Sequence, residues 1–116
     1  MTYSKYQSKV VPLENNWRLN CLLPHLATIT NPKGERHTSY FGFNCYQEAE
    51  VFYQYLNENN LCSRAIIRRS QRLSLCNYEI KSWGVGSAIL VRILNQQDLP
   101  LSDFINQEVQ VSVAPN

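Results

Sequence analysis

An α+β domain built on an antiparallel sheet is the fold class this sequence predicts. Three observations predict it. Apolar and polar residues alternate from Trp17 to Leu23, apolar residues recur at helical spacing from Cys45 to Asn57, and alternation returns from Cys76 to Trp83. With 116 residues the chain has room for one core and not for two. Hydrophobic residues at 44%, against 17% charged, with only 4 Gly and 5 Pro, describe a chain that folds rather than one that stays disordered.

In chain order, residues 1–16 are polar and close on Asn15-Asn16, so they are expected to be a loosely ordered N-terminal arm, with 17–116 as the single domain. Trp17, Leu19, Cys21 and Leu23 then mark a half-buried strand. Proline cannot donate to a ladder, so Pro24 bends this strand or sets it at an edge, and Leu26 to Thr30 continues it. Asn31-Pro32-Lys33-Gly34 carries type I turn preferences, Asn at the first position, Pro at the second and Gly at the fourth, and predicts a hairpin returning through Arg36 to Phe43.

Asn44 with Gln47 three residues later has the form of a capping box at the start of a helix over 45–57. Cys45, Ala49, Phe52 and Leu56 form its apolar stripe, and the asparagines at 57, 59 and 60 end it. A strand follows over 76–83. Residues 87–97 suit either a helix capped by Ser87 or a buried strand, and Val109, Val111 and Val113 predict a closing strand. The central order is therefore a ferredoxin-like βαββαβ, preceded by an N-terminal hairpin, with one or two helices on one face.

Charge is segregated along the chain. Residues 1–43 sum to +3, 44–60 to −3, 61–97 to +5 and 98–116 to −3, giving the overall +2. The third block contains "SRAIIRRSQRL", with four arginines in eleven residues and no acid. Arg64, Arg68 and Arg72 are spaced by four and share a face in a strand or a helix. In a strand they would stand about 13 Å apart, within reach of alternate phosphates at roughly 6–7 Å spacing. Tyr78, Lys81 and Trp83 on the next strand are candidate neighbours. The bland reading is a solvated basic row, or one paired with Glu48, Glu50 and Glu58 of the helix. The functional readings are contact with nucleic acid, or with an acidic protein surface.

The segment "SYFGFNCY" resembles the core of the RNA-recognition-motif signature at Phe41, Gly42, Phe43 and Tyr46, and "EAEVFYQYLN" resembles the helix that follows it in that family. Ser39 and Tyr40 depart from the signature. The resemblance covers about twenty residues and implies strand aromatics that stack bases, while burial in the sheet core is the competing role for Phe41 and Phe43. In overall style, Asn- and Gln-rich with the run "SYFGFNCYQEAEVFYQYL", the chain resembles small proteins of filamentous cyanobacteria, and that resemblance implies no activity.

Other chemistry is sparse. Cys21, Cys45, Cys62 and Cys76 lie 24, 17 and 14 residues apart without a CxxC pair, so no metal is expected. His25 and His37 fit no ligand motif, although the predicted hairpin leaves them room to meet. Gly84-Val85-Gly86 lacks the rest of a phosphate loop. No cofactor is implied. A chain without a signal-like or membrane-length apolar run is expected to be cytoplasmic, with reduced thiols. The expectation is a non-enzymatic binding module contacting nucleic acid through the arginine strand, with a protein-interaction or homodimerisation module as the alternative.

Overall fold

The structure is a computed structural model and describes residues 9–95. Among them, one six-stranded sheet forms from β1 (Lys9–Pro12), β2 (Arg18–Leu23), β3 (Leu26–Thr30), β4 (Arg36–Phe43), β5 (Arg64–Arg69) and β6 (Tyr78–Trp83), in the order β1-β2-β3-β4-β6-β5. Every neighbouring pair is antiparallel. Helix α1 (Tyr46–Glu58) joins β4 to β5, and α2 (Ser87–Asn95) follows β6.

The α+β class and the antiparallel sheet are as expected, but the ferredoxin-like order is only partly present. β4, α1 and β5 make a split unit with β6 inserted between the two strands. A ferredoxin-like sheet would set its last strand on the other side of β4. There β3 is already paired, from Leu26 opposite Phe41 to Ile29 opposite Thr38. The short hairpin connection fills that edge first. The strand expected over 109–113 lies outside the described residues. Lys9–Pro12, placed by sequence in a loose arm, pair along β2 from Lys9 opposite Cys21 to Pro12 opposite Arg18.

Local chemistry accounts for the turns. Asn31 closes the β3–β4 connection twice over: its carbonyl accepts from Gly34 N at 2.8 Å, and its Oδ1 accepts from Lys33 N and Glu35 N at 3.0 and 2.9 Å. Gly34 has φ +85, a conformation that favours a residue without Cβ. Asn60, with φ 53, ends α1 while Leu61 N donates back to Leu56 O at 2.9 Å. The expected capping box does not form. Cys45 is the N-cap with no side-chain bond, and the Asn44 carbonyl instead accepts from Asn77 Nδ2 at 2.8 Å. Residues 87–95 resolve as helix, burying Ile89, Leu90 and Ile93.

The sheet has two unlike faces. On one, Leu26, Phe41, Phe43, Ala65 and Ile80 pack under Ala49, Phe52 and Leu56 of α1 and the apolar side of α2. On the other, which carries no helix among the described residues, Leu19, Ala27, Ile29 and Tyr40 form a smaller cluster closed by Leu73. Leu73 belongs to the 70–77 loop, which folds back over this face. Gly42 permits that approach: a Cβ there would collide with Cys76 Sγ and stand 3.1 Å from Leu73 Cδ1.

His25 and His37 do not meet. The β3–β4 register puts His37 beside the turn, where its ring stands edge-on to Trp17 at 4.6 Å, and puts His25 at the far end, where its carbonyl accepts from Gly42 N at 2.8 Å. His25 Nε2 is buried without a hydrogen-bond partner among the described residues, and burial holds the imidazole below its usual 6.5. The unfolded chain therefore binds this proton more readily than the folded one. Stability should be full above 6.5 and fall as pH drops towards the folded value, by at most about 1.4 kcal/mol per pH unit. Urea unfolding between pH 7.5 and 5 checks this, and His25→Asn should remove that part of the slope.

Candidate functional site

Strand alternation sorts the candidate residues. In β5, Arg64, Ile66 and Arg68 share the helix-free face, and the register sets Arg64 opposite Trp83, Ile66 opposite Lys81 and Arg68 opposite Glu79. Arg64 is exposed, while Lys81 and Trp83 are half-buried. The Arg64 guanidinium carbon stands 4.9 Å from the Trp83 ring centroid and Lys81 Nζ stands 5.0 Å from it. Two cations thus lie over one indole, on a sheet face without a helix among the described residues, so a base that stacks on the ring must move one of them aside. Such contacts contribute about 0.5–1 kcal/mol each where water has access.

Arg68 is different. Its Nε donates to Glu79 Oε2 at 2.7 Å, and its guanidinium carbon lies 5.7 Å from the Tyr40 ring centroid. Glu79 is wholly buried. Its other oxygen, Oε1, accepts from Arg72 N at 3.1 Å, Leu73 N at 3.2 Å and Ser70 Oγ at 3.3 Å. One carboxylate therefore ties β5 to β6 and holds down the loop that covers Gly42. A buried ion needs this many donors to offset its lost hydration.

This arrangement breaks the arginine row expected from sequence. Strand β5 ends at Arg69, and Glu79 draws the following residues into the loop, so Arg72 does not continue the row. The Arg72 side chain lies at the margin of an open trough of about 890 Å³ bordered by Pro12, Trp17 and Ile29. Among the described residues no carboxylate comes within ion-pair distance of Arg64 or Arg72, and Glu79 rather than an acid of α1 neutralises Arg68. Tyr78 is also misplaced by the sequence reading. It stands three residues from Lys81, an odd offset in a strand, and so occupies the helix-covered face. There the Arg69 guanidinium carbon is 5.1 Å from its ring centroid, Arg69 Nη1 donates to its hydroxyl at 3.3 Å, and Tyr46 packs against it at 5.7 Å.

Of the six candidates, Arg64, Lys81 and Trp83 come together. Phe41 and Phe43 cannot take the base-stacking role that the resemblance implies, because both lie beneath α1 with ring centroids 4.9 and 5.5 Å from Phe52. Sequence reasoning overlooked Glu79, and a signal was present: it is the one acid among six bases in 61–97, at even offsets from Lys81 and Trp83.

The described residues form an α+β unit with both helices on one sheet face and an indole beneath two cations on the other. No family model, curated protein or solved structure matches the chain. Among the described residues no three His, Cys, Asp or Glu side chains gather to hold a metal ion, and no helix is long and apolar enough to cross a membrane.

Proposed function

We propose that the protein is a non-enzymatic binding module that contacts nucleic acid, in single-stranded form, through Arg64, Lys81 and Trp83. The observation that carries this reading is the Trp83 ring with Arg64 and Lys81 at 4.9 and 5.0 Å on the open sheet face. Unpaired bases stack on aromatic rings whatever their identity, while nearby cations neutralise the phosphates, and a duplex keeps its base faces hidden from such a platform. Arg68 contributes to the local potential, but its charge is largely committed to Glu79.

Fluorescence anisotropy with labelled oligo-dT and a duplex of the same length, at two salt concentrations, tests the reading. Binding should favour the single strand and weaken as salt rises. Trp83→Ala should weaken it by about 1–3 kcal/mol, the range measured for one stacked base, and Arg64→Gln should reduce the salt slope. An absence of binding at low salt, or unchanged binding in both variants, contradicts the proposal. A homodimer covering Trp83, detected by light scattering, would do the same.

A further inference from the structure

We propose that the outer edge of β5 accepts an extended acidic peptide as an added strand. This inference is separate from the nucleic-acid reading, because it rests on the strand's main chain and not on the Trp83 ring.

The two outer strands of the sheet differ. β1 has four residues and ends at Pro12, which lacks a donor and blunts that edge. β5 has six residues, RAIIRR, without proline, glycine or bulge, and keeps a continuous register with β6 from Arg64 opposite Trp83 to Arg69 opposite Tyr78. On its other side no strand pairs with it among the described residues. Its outward N–H and C=O groups are a template for main-chain pairing.

Charge selects what can pair there. Arg64 and Arg69 are exposed at the two ends of the strand, with Arg68 between them. A second copy of the chain is a poor occupant. Antiparallel pairing centred on Ile66 or Ile67 places two strands side by side that each carry Arg64 and Arg69 without a carboxylate partner among the described residues. Like charges across a ladder destabilise it, so this edge is guarded against itself. A strand of opposite charge meets no such barrier.

The two sides of β5 also fix a pattern. Ala65 and Ile67 lie on the helix-covered side, where α1 packs over the strand, while Arg64, Ile66 and Arg68 lie on the open side. A guest alternating valine and glutamate would set valines beside Ala65 and Ile67 and a carboxylate beside Arg64, the cation of the open side that Glu79 leaves uncompensated.

The test uses the full chain and a fluorescein-labelled octapeptide of alternating valine and glutamate, read by anisotropy. Saturable binding is expected, weakened about tenfold or more by Arg64→Glu. N-methylation of alternate amides gives two further peptides that need no protein variant. The one methylated on the paired side should not bind, and the one methylated on the other side should. Trp83→Ala should spare peptide binding while it weakens oligonucleotide binding, so the two readings fail separately. No saturation at millimolar peptide, equal binding of a valine–lysine peptide, equal binding of both methylated peptides, or a dimer through β5 in light scattering would each overturn the proposal.

Discussion

Glu79→Ala should lower the free energy of unfolding by about 3–5 kcal/mol, the range for removing one partner of a buried ion pair. The variant leaves Arg68 without its carboxylate and removes the acceptor shared by Arg72 N, Leu73 N and Ser70 Oγ. Glu79→Gln keeps an acceptor and should cost less. Urea unfolding followed by circular dichroism measures both losses. A second readout is local. Cys76 sits in the loop that Glu79 secures, and burial first, then the Glu79 charge, pushes its thiol up from the ordinary value. Both influences diminish when Glu79 is replaced and the loop loosens. In a variant retaining Cys76 as its only cysteine, alkylation at neutral pH should accelerate on Glu79→Ala.

Phe52→Ala should cost a comparable amount, about 3–5 kcal/mol, for a different reason. Phe52 is fully buried at the centre of the helix–sheet contact, with ring centroids 4.9, 5.5 and 5.9 Å from those of Phe41, Phe43 and Tyr55. Its removal leaves a cavity between two elements that are each fixed elsewhere, so neighbouring side chains can only partly collapse into it. Phe52→Leu, which fills most of the volume, should recover much of the loss. Neither change touches the open face, so oligonucleotide binding by the folded fraction should remain.

Elements governed by local rules were legible in the sequence. The turn at Asn31–Gly34 forms because Asn31 supplies its own acceptors, and α1 follows from the spacing of Ala49, Phe52 and Leu56. The helix starts one residue later than the spacing suggests, and Asn77, distant in sequence, holds the Asn44 carbonyl. That contact depends on strand pairing that no local pattern reports. The same limit applies to the site. Spacing by four placed Arg64 and Arg68 on one face correctly, yet where β5 ends depends on Glu79, and strand parity alone would have put Tyr78 on the opposite side from Lys81. Pairing between β3 and β4 was legible from the hairpin, but its consequence, that it closes the position a ferredoxin-like strand would need, appears only when all six strands are set in order.

Two arginines of one strand are held differently: Arg68 is tied to the buried Glu79, and Arg64 stands over Trp83 without a carboxylate partner among the described residues, which is why we propose that Arg64 and not Arg68 meets the nucleic acid. Arg64→Gln and Arg68→Gln, each assayed for thermal unfolding and for oligo-dT anisotropy at low salt, test it most directly. Arg64→Gln should keep the wild-type unfolding temperature and lose affinity, and Arg68→Gln should lower that temperature while its folded fraction still binds. The reverse pattern, a stable Arg68→Gln that no longer binds beside an unstable Arg64→Gln that does, would contradict the account.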